Sequence, residues 1–241
     1  MKKSIFLILA IVLFLASEPS TALGYVLSGR TWATNTVNYR VNTGSSISLP
    51  ASGILSALKG AADQWYTQGK SNIKFAYAGP TTSTSMTMDY TNNIFFRNSS
   101  NSYYAAETWW WYDGSGRLVD FDMVFYEGGG YTFFLPGDQN CYSAGNGIYL
   151  DDLAVHEFGH GIGLEHSNIG SATMYAYIPG YCDVTQMVLD QDDIAAVQAA
   201  YGVRAGSTPP PAPTPVPAPA PAPVPTPVPL PVPEPAATPV P

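Results

Sequence analysis

His156-Glu157-Phe158-Gly159-His160-Gly161-Ile162-Gly163-Leu164-Glu165-His166 decides the reading of this chain, because it contains all 3 of its histidines. Their spacing is H-E-x-x-H-x-x-G-x-x-H. Two histidines four apart on a helix lie on one face, about one turn from each other, so both imidazoles reach a single ion. Gly163 lets the chain leave the helix, and His166 then returns as a third ligand. Glu157, beside the first histidine, is placed to act on a water at that ion. The bland alternative is an ordinary helix with a solvated polar face. Three glycines from Gly159 to Gly163 argue against it, since each costs about 1 kcal/mol inside a helix.

Outward from this stretch, two cysteines bracket it: Cys141 before and Cys182 after. In an oxidising compartment a disulfide between them is the default, and closing that loop contributes about 4 kcal/mol in the chain-entropy model. The alternative is a free thiol that ligates the metal and keeps the site latent. The oxidising compartment follows from the start of the chain. Lys2 and Lys3 precede an apolar run, Ile5 to Ala16, too short to span a bilayer, and Ser20-Thr21-Ala22 supplies small residues for cleavage. Residues 1–22 therefore read as a secretory signal, with an uncleaved anchor as the alternative. The product is expected to be secreted and extracellular, monomeric, and without stable membrane insertion. A net charge of -8 argues against nucleic acid and anionic membrane as partners.

Residues 205–241 turn abruptly to Pro, Ala, Val and Thr. Such a tract forms neither helix nor ladder and favours extended polyproline, reaching roughly 100 Å. A stiff spacer is the plain reading, and a proline-motif ligand is the alternative. Residues 23–204 remain as one domain. Thr36–Val41 alternates as a strand, Gly53–Gln68 has one apolar helical face, and Asn72–Ala78 and Ser85–Tyr90 read as further strands. Asp113-Gly114-Ser115-Gly116 turns a hairpin between Thr108–Tyr112 and Leu118–Tyr126. Leu150–Gly163 is the histidine helix, and Asp190–Tyr201 is a last helix stopped by Gly202.

With these motifs the sequence resembles a metzincin, and within that clan a matrixin. His156 to His166 matches the clan signature at each defined position, and Ser167 after the third histidine resembles the matrixin choice. Ser171-Ala172-Thr173-Met174-Tyr175 resembles the Met-turn, which implies Met174 beneath the metal, although a methionine there also suits a plain core. Leu189 to Gly202 resembles the closing helix, and Val119 to Phe125 the strand on whose edge substrate binds. The resemblance implies an α+β fold: a twisted mixed β-sheet, a zinc-binding active-site helix and a C-terminal helix. It also implies substrate contacts at Asp122, Pro179 and Tyr181. Three departures stand out. No cysteine-switch segment lies between signal and domain, and no histidine is left for a second zinc. Extra residues also separate Met174 from Pro179-Gly180-Tyr181, which resembles the pocket wall.

The chemistry expected is that of a secreted zinc endopeptidase. His156, His160 and His166 hold one Zn²⁺ with an open position, and Glu157 is the general base on a zinc-activated water. Protein or peptide is the substrate. The rival is a stalk-displayed, zinc-containing adhesion or glycan-binding module that uses Trp109, Trp110 and Trp111 for contact. For Ca²⁺, the oxygen ligands on offer are Asp113, Asp122, Asp138 and the Gly128–Gly130 loop, all of which ordinary turns also use. Asp192 and Asp193 are open between first-turn acids of the last helix and ties to the Met-turn or the mature N-terminus.

Overall fold

The computed structural model describes residues 23–99, 104–178 and 180–207, so the signal, the proline tract and Pro179 lie outside the described residues. In chain order the elements are β1 (Val26–Leu27), β2 (Thr31–Trp32), β3 (Thr36–Val41), α1 (Ala51–Thr67), β4 (Lys74–Pro80) and β5 (Asn93–Asn98). They continue with β6 (Ala106–Tyr112), β7 (Arg117–Glu127), β8 (Thr132–Phe134), α2 (Asn140–Ala144), β9 (Gly147–Tyr149), α3 (Leu150–Gly161), β10 (Leu164–Glu165) and α4 (Gln191–Tyr201).

The main sheet has the order β2-β7-β5-β3-β4, with every pair parallel, and β6 joins β7 antiparallel. The mixed sheet, the histidine-bearing helix α3 and the C-terminal helix α4 are those that the resemblance implies, with α1 and the short α2 beside them. Parallel strands are covered on both faces, which explains why β7 is buried along most of its length. β7 is therefore an interior strand: β5 lies on one side and β6 on the other. Among the described residues the strand expected as an edge, Val119 to Phe125, is thus paired on both sides, and β6 forms the edge on that side of the sheet.

Ser85–Tyr90 forms no strand. Its backbone N–H groups find carboxylates in place of a ladder. Thr87 donates to Asp122 Oδ2 (2.8 Å), and Asp89 and Tyr90 both donate to Asp120 Oδ2 (2.7 Å each). Asp122 also accepts from Asn93 N–H (2.9 Å) and is fully buried. It ties a loop down over the sheet and has no place at a substrate surface. Burial pushes its carboxyl up to about 6, against the pull of those donors.

α1 begins after Pro50, which cannot continue a helix backwards, and buries Ile54, Ala57, Leu58, Ala61, Ala62 and Trp65 on one stripe. That stripe packs on α3, where Trp65 Nε1 donates to the Val155 carbonyl (2.9 Å). On the opposite side of α1, Gly60 is exposed and a Cβ there meets nothing within 4 Å. Gly60→Ala is thus expected to raise stability by about 0.5–1 kcal/mol, read as a higher urea midpoint at unchanged m-value.

Cys141, on α2, and Cys182 are joined by a disulfide spanning 41 residues, and both are buried. The thiol-ligand alternative is thereby removed. α4 is capped by Asp190, which accepts from Asp192 N–H and forms a capping box with Asp193. Among the described residues no helix is long and apolar enough to cross a membrane.

Candidate active site

α3 ends at Gly161, one residue after His160, because the chain must reverse to bring His166 back. Gly163 makes that turn at φ +82°, and a Cβ there would stand 2.3 Å from the Arg30 carbonyl oxygen. Only glycine combines the left-handed backbone with so close an approach. Ser28 fastens the turn, its N–H (3.1 Å) and Oγ (2.8 Å) both donating to the Gly163 carbonyl.

The three imidazoles converge. His160 Nε2 lies 3.1 Å from His156 Nε2 and 3.2 Å from His166 Nε2. On the far side of two rings, His156 Nδ1 meets the Thr173 carbonyl (2.7 Å) and His160 Nδ1 the Leu164 carbonyl (2.8 Å). A carbonyl only accepts, so each Nδ1 carries the proton and each of these Nε2 atoms turns a bare lone pair to the centre. Lone pairs about 3 Å apart repel unless a cation lies between them. Tetrahedral zinc with Zn–N of about 2.0–2.1 Å sets neighbouring nitrogens roughly 3.3 Å apart, close to what is found here. Burial pulls the His156 imidazole down to about 4, with His166 adding to it, and burial with His156 holds His160 well below the usual range. Neutral imidazoles are what a metal needs. The residues present therefore fit a zinc ion. Among the described residues they form the one group of three such side chains with ligand atoms within 4.8 Å of one another.

Met174 is buried beneath α3, and its Sδ would lie 2.3 Å from a Cβ built on Gly159, so the glycine lets the helix settle onto the sulfur. Its turn is held by Asp193, which accepts from Thr173 N–H (2.7 Å) and Met174 N–H (3.0 Å). Asp192 accepts from Gly24 N–H (2.5 Å), Tyr25 N–H (3.0 Å) and Ser167 Oγ–H (2.6 Å). The two acids open α4 and also tie down both the turn and the start of the domain, so both readings of them hold. Asp113 and Asp138, offered above for Ca²⁺, spend their carboxylates on their own turns: Ser115 and Arg117 N–H donate to the first, Asn140 N–H to the second.

Glu157 is 4% exposed, on the next residue round the helix from His156. Burial pushes its carboxyl up to about 7, Thr108 pulling the other way and Glu107 adding to the rise. The only hydrogen bond its carboxylate makes among the described residues comes from Thr108 Oγ1, 2.6 Å from Oε2. Thr108 belongs to β6 and carries no signal in the sequence. Only the hairpin register and the packing of α3 bring it here.

Above these groups lies a cleft of about 790 Å³, lined by β6 on one side and by the Tyr175–Tyr181 segment on the other. Tyr181 lines it, and Asp122, buried in the sheet, does not. Both Trp109 and Trp110 line the cleft; Trp110 also packs on the core, whereas Trp109 is 55% exposed. The direction of the β6 edge follows from one bond. Tyr126 N–H donates to the Ala105 carbonyl (2.8 Å), which makes that pair the hydrogen-bonded kind. Alternation along an antiparallel ladder then points the N–H and C=O of Ala106, Thr108 and Trp110 away from β7, to the open side.

A sequence model of the matrixin family of peptidases matches residues 31–202. Karilysin of Tannerella forsythia is 31% identical over 183 residues, 74% of this chain and 34% of karilysin. The hatching enzyme of Paracentrotus lividus is 38% identical over 96 residues, 40% of this chain and 16% of that protein. Human matrix metalloproteinase-27 is 43% identical over 76 residues, 31% of this chain and 14% of that protein. The chain thus spans about a third or less of these relatives' own length. With the histidine triad, the turn beneath it and a match over most of its length, the chain belongs to the matrixin family.

Proposed function

We propose that the protein is a zinc-dependent endopeptidase that works outside the cell on extended segments of protein or peptide. The observation that carries this is the convergence of three Nε2 atoms beside a buried carboxylate, beneath a free strand edge. His156, His160 and His166 would hold the ion. Zinc bound there supplies a Lewis acid that acidifies water and polarises a carbonyl.

The rest falls to the chain. A substrate strand lies along β6 and pairs with the outward N–H and C=O groups of Ala106, Thr108 and Trp110, which fixes its scissile carbonyl over the histidines. Glu157 Oε2 is occupied by Thr108, leaving Oε1 to take the proton of the attacking water. As the water oxygen bonds to the carbonyl carbon and the C–N bond breaks, Glu157 returns that proton to the leaving amine. Backbone pairing reads no sequence, so side-chain choice falls to the Tyr175–Tyr181 wall. Karilysin and matrix metalloproteinase-27 support this reading by kinship.

The test uses casein and a mixed peptide library with purified protein, with and without a chelator. Cleavage that chelation abolishes and stoichiometric zinc restores is expected. A protein inert towards every peptide yet bound to glycan would overturn the reading in favour of an adhesion module.

A further inference from the structure

Thr108 touches both the general base and the place where substrate is proposed to pair. Its side chain reaches α3: Oγ1 is 2.6 Å from Glu157 Oε2 and 3.3 Å from the Glu157 carbonyl oxygen. Its main chain faces the other way, into the open edge of β6, in the non-hydrogen-bonded pair with Met123. A hydroxyl has a single proton to donate. At 2.6 Å it goes to the carboxylate, in the range of a charge-assisted O–H···O⁻ bond. The Glu157 carbonyl is a second acceptor within reach.

We propose that Thr108 is a positioning residue that couples substrate docking to the general base. This inference rests on the endopeptidase reading above. In the free protein, β6 is held by β7 on one side only, so Thr108 can shift with its strand. When a substrate strand pairs with the main chain of Thr108, the strand is clamped on both sides. The hydroxyl then fixes the Glu157 carboxylate, with Oε1 turned to the water. The contact matters little for ground-state affinity, because the edge pairs with substrate through its backbone whatever the side chain. It matters for the step in which the proton moves, so its loss appears in kcat rather than KM.

The experiment compares Thr108→Val, which keeps the shape and removes the hydroxyl, with Thr108→Ser, which keeps the hydroxyl. Wild-type protein and Glu157→Gln run alongside on one fluorogenic peptide. Thr108→Val is expected to lower kcat roughly 10- to 100-fold, with KM within about twofold and zinc content unchanged. Thr108→Ser is expected to recover to within about threefold of wild type. Calorimetric binding supplies a readout apart from turnover. A phosphinic peptide, which mimics the tetrahedral state, binds Thr108→Val more weakly by a similar factor, while a product peptide binds both proteins alike.

Wild-type kcat in Thr108→Val, or equal losses in Val and Ser, would overturn the coupling and leave the peptidase reading standing. If wild type cleaves no peptide, the peptidase reading itself falls, and this inference with it; if wild type and Glu157→Gln cleave alike, Glu157 is not the base and the coupling falls alone.

Discussion

Glu157→Gln is expected to lower kcat/KM for peptide cleavage by roughly a thousandfold or more while zinc content and peptide binding stay as they are. General bases at such positions contribute roughly 10²–10⁴-fold, and an amide has no lone pair basic enough to take the proton. Glutamine matches glutamate in shape, and its amide oxygen can still accept from Thr108 Oγ1. The packing beneath α3 is thus retained. The same change should not lower thermal stability. Glu157 is buried, and burial raises its carboxyl towards 7, so its charged form is held there against a desolvation cost that the neutral amide escapes. The combination is diagnostic: an inert protein that melts at or above the wild-type temperature and holds one zinc. Activity within tenfold of wild type would remove Glu157 from the mechanism.

Gly163→Ala should be among the most damaging single-methyl additions in the chain. The backbone there is left-handed, which costs an alanine about 1–2 kcal/mol. The added Cβ also meets Ser28 Oγ at 3.1 Å and, at 2.3 Å, the Arg30 carbonyl oxygen, which is backbone and cannot swing aside. To relieve that collision the β1–β2 connection or the end of α3 has to move, and the Ser28 bonds to the Gly163 carbonyl go with it. A total loss of about 3 kcal/mol or more is expected in urea unfolding of the metal-free protein. His166 follows three residues later, so zinc should also leave more readily in competition with a chelator. Gly60→Ala, expected to stabilise, is the matched control. An unchanged midpoint together with unchanged zinc retention would show the turn to be far more yielding than its geometry implies.

Where the sequence spoke clearly, one physical constraint dominated. The spacing from His156 to His166 leaves a helix and a glycine turn as the only way to gather three imidazoles, and both are present. The β6–β7 hairpin was legible from its Asp-Gly-Ser-Gly turn, and α1 from its apolar stripe. Which strand forms the edge was not legible. β7 alternates acids with large apolar residues, as a half-solvated edge would, yet Asp120 and Asp122 are buried because the 85–93 segment brings N–H donors to them. The Ser85–Tyr90 segment was misread for the reciprocal reason: side-chain carboxylates stand in for a partner strand. β5 escaped notice because Ile94-Phe95-Phe96 is a short apolar run between asparagines, and its strand character comes from being flanked by β3 and β7. The two- and three-residue strands β1, β2, β8, β9 and β10 exist only through their partners, a tertiary effect with no local periodicity. Thr108 is the extreme case, since a lone threonine in a tryptophan-rich strand gives no hint of a carboxylate beyond it.

The bond between Cys141 and Cys182 closes a covalent ring that holds His156, Glu157, His160, His166 and Met174. On the proposed reading the protein is exposed to its own activity, and this ring decides what a cut leaves behind. A nick between the two cysteines leaves both pieces tethered, with every metal-site residue still on one linked body. Such material runs as intact chain on a non-reducing gel and separates into fragments only on reduction. Cuts before Cys141 or after Cys182 release a piece under either condition. The two gels, run side by side on aged protein, sort damage to the catalytic ring from trimming outside it.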